Sequence, residues 1–308
     1  MSLPITPSIV YDVTSYSSPC FSPCSSRLVF VQSNVDKKSA EIRSRIMHVD
    51  FPSSQISVFT NGPKDSRPRF SPNSKIIAFL RPDDDGHVQI WTIAVSGGEA
   101  TQLTRIPGSV AEFEWSPSSD ALVYSSDLNP EQESGELDDD NGPRVRVVRR
   151  ITYRSDVLGW RGDAYRQIFT VRLKDGETCQ ITKGDWDNSA PKWSPDGSNI
   201  AFISSRGSDR DLVSHNEVYV VSLGSRDAIC WSEELTSVGA LAWSPEGKRL
   251  VVVGSDDDDL GAAWQGSLFI LRPDGDPEQI TDDAVRPVAG FPPAVPGPDL
   301  KWTKAGHI

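Results

Sequence analysis

An aromatic-Ser-Pro tripeptide recurs along this chain of 308 residues, and no other sequence feature constrains its fold as strongly. A short polar turn follows each copy, and an apolar, β-prone run comes next, as in residues 195–203. Proline presets φ in such a turn, and the glycine that follows it in two of the copies accepts a positive φ. Each copy therefore predicts two strands joined by a tight turn. The five copies begin at Phe21, Phe70, Trp115, Trp193 and Trp243.

Two further strands recur downstream of each copy. One runs apolar, as in residues 88–93, and the next ends in a bulky residue followed by threonine. Turn residues such as Ser96-Gly97-Gly98 separate the two strands and mark a hairpin. The bulky-threonine pairs are Phe59-Thr60, Leu103-Thr104, Ile181-Thr182, Leu235-Thr236 and Ile280-Thr281.

The spacing of the copies identifies the architecture. The anchor aromatics at positions 21, 70, 115, 193 and 243 are 49, 45, 78 and 50 residues apart. A unit of about 45 residues with four short strands is typical of a β-propeller blade. We therefore predict an all-β propeller of four-stranded blades, about five of them complete, with the start of a sixth. Because no amphipathic helix of ordinary length is visible, a doubly wound α/β domain is excluded.

The same register predicts a single, incomplete β-propeller domain over residues 1–308. The 78-residue interval contains an acidic loop insertion at residues 127–142, and a Pro-rich connection occupies residues 287–298. We interpret the basic stretch at residues 144–154 as a strand with one solvated face. Trp302 is a sixth anchor aromatic, with Thr303 in place of serine, and the chain ends soon after it. We therefore expect an N-terminal fragment of a longer protein; a divergent small propeller closed on itself is the competing interpretation.

Charge and composition narrow the range of partners. The chain carries 31 Lys and Arg against 43 Asp and Glu, a formal net charge of −12. Because phosphate contacts need clustered Lys and Arg, this balance argues against nucleic acids and anionic membranes. No apolar run has the length of a membrane span, and the N-terminus lacks a secretory signal. Cys20, Cys24, Cys179 and Cys230 show no metal-site spacing, so free thiols in a reducing cytoplasm are expected, with a disulfide as the less favoured alternative.

Motifs that carry chemistry are absent from the sequence. There is no Gly-x-Ser-x-Gly elbow for a hydrolase nucleophile and no glycine-rich phosphate loop. The histidines, His48, His87, His215 and His307, lie in separate repeat units. We therefore predict no catalytic, cofactor-binding or metal-binding residue here, and no cofactor.

Aromatic residues repeated at the blade period are expected to pack between blades, so the anchors are structural rather than ligand-binding. The other tryptophans are better candidates for exposed or funnel-lining positions, although core packing is the default for each. They are Trp91, Trp160, Trp186, Trp231 and Trp264.

The repeat WSPDGSNIAFISSR, together with QIWTIAVSGGEATQLTR and DWDNSAPKWSPDG, resembles the propeller repeats of the prolyl oligopeptidase family of serine peptidases. The segment RRITYRSDVLGWRGDAYRQIFTVRL is similar to the arginine-tyrosine strand pair of its acylaminoacyl peptidase and dipeptidyl peptidase V branch. The resemblance extends from Ser22 to Trp302, and single repeats are shared with the propeller of the Tol system. Cys24, Asn73 and Ser118 depart from the pattern, since each stands where the repeat usually has aspartate.

The resemblance implies a seven-bladed propeller in front of an α/β-hydrolase domain that carries Ser, Asp and His. Such a propeller covers the active site, admits small peptides and excludes folded proteins. No residue of this chain matches the nucleophile elbow, so no catalytic role is carried over and the hydrolase domain is absent from residues 1–308.

We therefore predict the non-catalytic propeller of a serine-type oligopeptidase, which gates and filters peptide substrates for a hydrolase domain of the same longer protein. The acidic surplus favours cationic or free-amine peptides at the funnel. The alternative is a stand-alone propeller that acts as a protein-interaction module, and an oligomer is compatible with either. A propeller enzyme with its own active site is the weakest interpretation, because it needs a metal or paired carboxylates at the channel.

Overall fold

The computed structural model describes residues 6–128, 147–155, 159–213, 215–256, 266–281, 300–303 and 305–308. Within them the chain forms five four-stranded sheets, each built from strands that follow one another in sequence. The prediction of an all-β propeller with five complete blades is thereby confirmed. The helical content of these residues is one 3-10 helix of five residues, Pro7–Tyr11.

The chain divides into two compact units. The first unit holds the first two blades. The first blade consists of β1 (Thr14–Phe21), β2 (Arg27–Val35), β3 (Ile42–Asp50) and β4 (Gln55–Val58). The second consists of β5 (Ser66–Phe70), β6 (Ile76–Pro82), β7 (Val88–Ala94) and β8 (Thr101–Gln102).

The second unit holds most of the other three blades. The third blade contains β9 (Val110–Trp115), β10 (Ala121–Leu128), β13 (Tyr165–Arg172) and β14 (Thr178–Gln180), and the short strands β11 (Arg154–Ser155) and β12 (Gly159–Trp160) pair with each other. The fourth contains β15 (Asn188–Trp193), β16 (Asn199–Ser204), β17 (Glu217–Ser222) and β18 (Ala228–Cys230). The fifth contains β19 (Ser237–Trp243), β20 (Leu250–Ser255), β21 (Ser267–Arg272) and β22 (Gly275–Gln279).

Apolar clusters hold neighbouring blades together within each unit. In the second to fifth blades the second strand is covered on both faces, which is why it reads as a continuous apolar run rather than an alternating one. In β16, for example, every residue after Asn199 is buried. One cluster joins the third and fourth blades through Val123, Ile168, Ile200 and Phe202, among others. The blades therefore pack face to face, as in a propeller.

The serine of the repeated tripeptide closes the turn between the first two strands of each blade. Its side chain is buried in all five copies, and its hydroxyl accepts a hydrogen bond from the backbone N–H five residues on. In the fourth blade, Asn199 N–H lies 2.9 Å from Ser194 Oγ, and Ser194 N–H donates to the Asn199 carbonyl at 2.9 Å. A buried hydroxyl thus satisfies an amide that the turn leaves unpaired.

A second hydroxyl closes the outer side of each blade. Thr60, Thr104 and Thr182 each accept the backbone N–H of the residue fourteen positions earlier. In the fourth blade this role belongs to Ser232, whose Oγ lies 2.8 Å from Val218 N. The sequence pattern predicts that the fourth strand of this blade ends at Leu235-Thr236. That prediction is wrong, because β18 ends at Cys230 and the hydroxyl of Ser232 forms the closing hydrogen bond instead.

The basic stretch at residues 144–154, predicted to be a strand with one solvated face, also differs from its prediction. Residues 147–150 have no regular structure and residues 151–153 form a turn, so the predicted strand is limited to Arg154–Ser155. The acidic insertion predicted at residues 127–142 begins inside a strand, since Asp127 and Leu128 belong to β10; residues 129–142 lie outside the described residues. The Pro-rich connection at residues 287–298 also lies outside them.

The sixth anchor is followed by a turn that resembles the serine turns but is one residue shorter. Gly306 N–H donates to the Thr303 carbonyl at 2.9 Å, and Thr303 Oγ1 accepts the His307 N–H at 3.0 Å. Thr303 thus takes the part of the serine. The organisation of residues 1–308 as one domain stays a prediction. No helix in the described part of the chain is long and apolar enough to cross a membrane.

Candidate functional site

Each blade has two ends with different chemistry. At the turn end, the serine turns join the first strand to the second. At the opposite end, which we call the loop end, the second strand connects to the third and the fourth connects to the next blade. In the second unit, charged side chains from several connections meet at the loop end. The members of this Arg-Asp network are Asp127, Arg150, Arg161, Arg166, Asp187 and Asp211.

Arg161 is the centre of the Arg-Asp network. Its guanidinium spans two carboxylates: Nε and Nη2 donate to Asp127 at 2.9 and 3.2 Å, and Nη1 and Nη2 donate to Asp187 at 3.2 and 2.9 Å. Arg166 adds a bond from Nε to Asp127 at 2.8 Å, and its backbone N–H donates to Asp187 at 2.7 Å. Forked guanidinium–carboxylate pairs of this kind fix geometry as well as charge.

Arg150 attaches the turn at residues 151–153 to the fourth blade. It is buried, and its Nη2 donates to Asp211 at 2.9 Å and to Asp187 at 3.3 Å. Its Nη1 donates to the Ala164 carbonyl at 2.6 Å, and the guanidinium carbon lies 4.0 Å from the centroid of the Tyr165 ring. The segment 147–153, the Arg150 loop, is therefore held by its one buried cation.

The arginines keep these carboxylates ionised. Burial alone would raise the pKa of Asp127, but hydrogen bonds from Arg161 and the charge of Arg166 outweigh it and lower that pKa. Burial opposes ionisation of Asp187 too, and Arg161 again lowers its pKa. For Asp211, the hydrogen bond from Arg150 is the main cause of a lowered pKa. Because three arginines face three aspartates, the network leaves little charge for a ligand.

A cavity of about 410 Å³ opens near the network, in the fourth blade. Arg206 forms one wall, and its guanidinium carbon lies 3.7 Å from the Tyr219 ring centroid and 5.1 Å from that of Trp186. Its Nε donates to Ser204 Oγ at 3.1 Å. The cation is therefore engaged by aromatic faces. Burial lowers the pKa of Arg206.

Four carboxylates line the same cavity: Asp209, Glu217, Glu233 and Glu234. Glu217 accepts a hydrogen bond from the Tyr219 hydroxyl at 2.7 Å. Burial and this carboxylate raise the pKa of Tyr219, so the phenol stays protonated. Among the residues that the structure describes, none of the four carboxylates forms an ion pair. The lining therefore has a net negative charge, since its four carboxylates face one arginine, Arg206; His215 and Tyr219 line the cavity as well.

A second cavity, of about 560 Å³, lies at the turn end between the fourth and fifth blades. Trp231 and Trp243 meet there edge to face, with ring centroids 5.6 Å apart, and Trp243 Nε1 donates to the Lys192 carbonyl at 3.1 Å. Arg249 at its rim lies 5.0 Å from the Trp302 ring centroid and pairs with Glu246. These contacts give the turn end a packing role.

The anchor aromatics have different environments. Phe70, Trp115 and Trp193 are buried, whereas Trp243 and Trp302 are half-buried. Phe21 is 58% exposed and stacks on Phe51, with ring centroids 6.3 Å apart. The expectation of a core position is wrong for Phe21, because six of the eight residues of β1 are exposed.

The other residues singled out in the sequence do not converge on a site. Trp91 and Trp186 are half-buried beside Arg81 and Arg206, respectively, and Trp264 lies outside the described residues, as does the side chain of Trp160. His48 donates to or accepts from Ser57 at 3.0 Å, and His215 lines the cavity. The four cysteines are free thiols. Within the described residues, no group of three or more His, Cys, Asp or Glu is placed to hold a metal ion.

Sequence reasoning missed both the Arg-Asp network and the acidic cavity. The segment at residues 149–166 carries five arginines, Arg149, Arg150, Arg154, Arg161 and Arg166, but their partners Asp187 and Asp211 lie far along the chain. The density of arginine within an acidic chain is the signal that could have indicated buried pairing.

Comparison with known proteins bears on the same region. Residues 151–262, which include most of the network and the cavity, match the family described as the dipeptidyl peptidase IV (DPP IV) N-terminal region. The uncharacterized peptidase YuxL of Bacillus subtilis is 27% identical over 224 residues, 70% of this chain and 34% of the relative. Dipeptidyl-peptidase 5 of Porphyromonas endodontalis is 22% identical over 269 residues, 82% of this chain and 39% of the relative.

The acylaminoacyl peptidase of Pyrococcus horikoshii superposes with a TM-score of 0.67 at 16% identity, covering 89% of this chain and 40% of that one. The chain is therefore similar to the N-terminal propellers of this peptidase family in sequence and in fold. TolB of Acinetobacter baumannii shares the propeller fold, with a TM-score of 0.53 at 20% identity over 85% of this chain and 52% of that one. The propeller spans between a third and two fifths of the length of the curated peptidase relatives it matches.

Proposed function

We propose that this propeller gates and filters peptide substrates for an α/β-hydrolase domain carried by the same longer protein. The observation that carries the proposal is the combination of five propeller-type sheets in the described residues with a match over residues 151–262 to a peptidase N-terminal region. The chain itself lacks a nucleophile elbow, so its contribution is to admit and orient peptides. The hydrolase domain is the partner, and small peptides are the substrate class.

The loop end has the properties that such a filter needs. A size filter works only if its rim does not yield, and the Arg-Asp network joins the Arg150 loop, the third blade and the fourth blade through charged hydrogen bonds. The acidic cavity beside it supplies a charge preference. Because its four carboxylates outnumber the single guanidinium of Arg206, it attracts cationic groups of a peptide.

The decisive experiment uses the native polypeptide that contains this sequence. Its mass is measured, and it is labelled with a fluorophosphonate probe, which reacts with activated serine nucleophiles. If it exceeds about 34 kDa and takes up the probe, hydrolysis is measured on peptides of increasing length and on folded and unfolded forms of one protein. We expect cleavage of short peptides and none of the folded protein. Equal cleavage of folded and unfolded protein contradicts the filter.

The alternative function, a stand-alone interaction module, predicts a different result. The native polypeptide then has the mass of this chain, takes up no probe and is recovered with a stoichiometric partner. We also propose a cytoplasmic location, which the four free thiols support, because unpaired cysteines are typical of reducing compartments. Alkylation of the native protein without reductant tests this, since it should modify the exposed Cys24 thiol.

A further inference from the structure

The loop between β16 and β17 brings two kinds of surface together on one turn. Asp209 lines the acidic cavity, Asp211 binds Arg150, and Leu212 projects into solvent. Leu212 N–H donates to the Asp209 carbonyl at 2.7 Å, so these residues form one tight turn. The cavity and the exposed leucine are therefore adjacent features of a single element.

Leu212 is 74% exposed, and the Arg150 loop adds further apolar surface beside it. Ile151 is 63% exposed, and Val147, Val148 and Tyr153 are exposed as well. Arg150 and Thr152 both hydrogen bond to Asp211, which fixes the Arg150 loop against the turn that carries Leu212. Exposed apolar side chains on two segments joined by these hydrogen bonds are typical of a surface that binds a partner.

We infer that the cavity and this apolar surface together bind a peptide that carries a basic side chain in the cavity and an apolar side chain on Leu212 and Ile151. The four carboxylates of the cavity come from three segments and face one guanidinium, which the Tyr219 ring engages. A cavity of about 410 Å³ accommodates a whole lysine or arginine side chain. This inference rests on the proposed peptide-handling function and specifies its substrate class.

The geometry sets the spacing within the peptide. The hydrogen bond from Leu212 N–H to the Asp209 carbonyl closes a turn whose end Cα atoms lie within about 7 Å of each other, and an extended peptide advances about 3.3 Å per residue. A basic residue and an apolar residue one to three positions apart therefore reach both surfaces at once. The amino terminus of the peptide takes no part in this arrangement, so an acetylated peptide binds as well as a free one.

The test is calorimetric titration of the full chain with the peptide acetyl-Ala-Arg-Ala-Leu-Leu-Ala-amide. The matched peptide has citrulline in place of arginine, which keeps the shape and removes the charge. At low salt we expect the arginine peptide to bind about tenfold more tightly, and the difference to shrink at 0.5 M salt. Equal affinities for the two peptides would overturn the inference.

Variants locate the contact. Glu233→Gln combined with Glu234→Gln should abolish the preference for arginine. The charge-matched control, Glu99→Gln with Asp274→Asn, changes two exposed carboxylates that do not line the cavity and should keep the preference. Loss of the preference in the control contradicts the assignment. Leu212→Ser should weaken binding about threefold, but not when serine replaces the leucines of the peptide.

One further outcome decides whether the cavity recognises a basic side chain or a peptide amino terminus. If the citrulline peptide with a free amino terminus binds as tightly as the arginine peptide, the cavity recognises peptide amino termini and the inference is wrong. Circular dichroism and melting curves of each variant verify that it is folded, which is expected because the substituted side chains are exposed. The titration involves no hydrolysis, so its failure leaves the proposed filter, tested by peptide length, unaffected.

Discussion

Gly62 lies against a buried ion pair of the first unit, where there is no room for a side chain. The Asp65 carboxylate is fully buried, and it accepts hydrogen bonds from Arg81 Nε at 2.6 Å and Nη2 at 2.9 Å. The Thr60 hydroxyl donates to the same carboxylate. Because a buried charge without its partner costs several kcal/mol, the glycine protects an arrangement that tolerates little displacement.

We expect Gly62→Ala to destabilise the chain by about 2–4 kcal/mol. A β-carbon there would lie 2.2 Å from Asp65 Oδ1 and 2.5 Å from Arg81 Nε, so the ion pair must separate. The free energy of unfolding in urea at pH 7 measures the effect. The control is Gly239→Ala, whose β-carbon meets nothing within 4 Å. Equal losses in the two variants would mean that the loss comes from the backbone and not from the ion pair.

Single residues show where sequence reasoning succeeds and fails. The buried serines of the tripeptide were predictable, because their partners are local and the amide lies five residues away. The bulky-threonine pattern predicts Thr236 for the fourth blade, whereas the chemistry requires only a hydroxyl at the right spacing, which Ser232 supplies. Arg150 was assigned to a solvated strand because its partner Asp211 lies 61 residues away, beyond any local pattern.

At the scale of elements, every serine turn needs one residue with a positive φ. Two of the turns place glycine at that position, and three place serine. The residue three positions after the serine has a positive φ in every blade: 56° at Ser25, 59° at Ser74 and 65° at Ser119, against 75° at Gly197 and 72° at Gly247. A left-handed conformation costs an L-residue about 1–2 kcal/mol, and glycine avoids that cost. The first three turns are therefore less favourable than the last two.

We therefore expect Ser74→Gly to stabilise the chain by about 0.5–1 kcal/mol. Glycine removes the strain of the left-handed conformation, and part of that gain is offset because glycine also raises the conformational entropy of the unfolded state. Urea denaturation detects a change of this size. Ser96→Gly is the matched control, because Ser96 lies in a hairpin turn without a positive φ and should lose stability on substitution. If both variants lose stability, the left-handed conformation of Ser74 carries no strain.

The blades were predictable because the spacing, the turn residues and the apolar runs all repeat. Each copy of the repeat therefore supports the strand assignment of the other copies. The connections were not, because they occur once. The acidic cavity is formed by the connections at residues 206–217 and 233–236, whose carboxylates read in the sequence as ordinary surface residues. Only the fold brings those two connections together.

At the scale of the molecule, the proposed function depends on a loop end that keeps its shape. The Arg-Asp network joins residues as far apart as Asp127 and Asp211, and it connects the third blade, the Arg150 loop and the fourth blade. Its charges balance, so it contributes rigidity rather than ligand attraction. The neighbouring cavity carries the unbalanced negative charge. The network therefore keeps the shape of the loop end, and the cavity beside it recognises charge.

The network also makes stability depend on pH, in a direction that follows from its aspartates. The pKa values of Asp127, Asp187 and Asp211 are lower in the folded chain than their ordinary value of 3.8. The folded state therefore binds protons less readily than the unfolded state. The stabilisation is complete above the unfolded pKa and is lost as the pH falls through the folded values, below about pH 4.

Arg161→Met tests this argument, because it removes the guanidinium that spans Asp127 and Asp187. We expect a loss of about 2–4 kcal/mol at pH 7, since two partly buried carboxylates lose a partner. The difference from the unmodified chain should narrow as the pH falls through the lowered pKa values of the aspartates, because the carboxyls then become protonated in both proteins. Urea denaturation at several pH values measures it, with Lys37→Met, which removes an exposed ion pair to Asp12, as the control. A difference that does not change with pH would assign the role of Arg161 to packing rather than to charge.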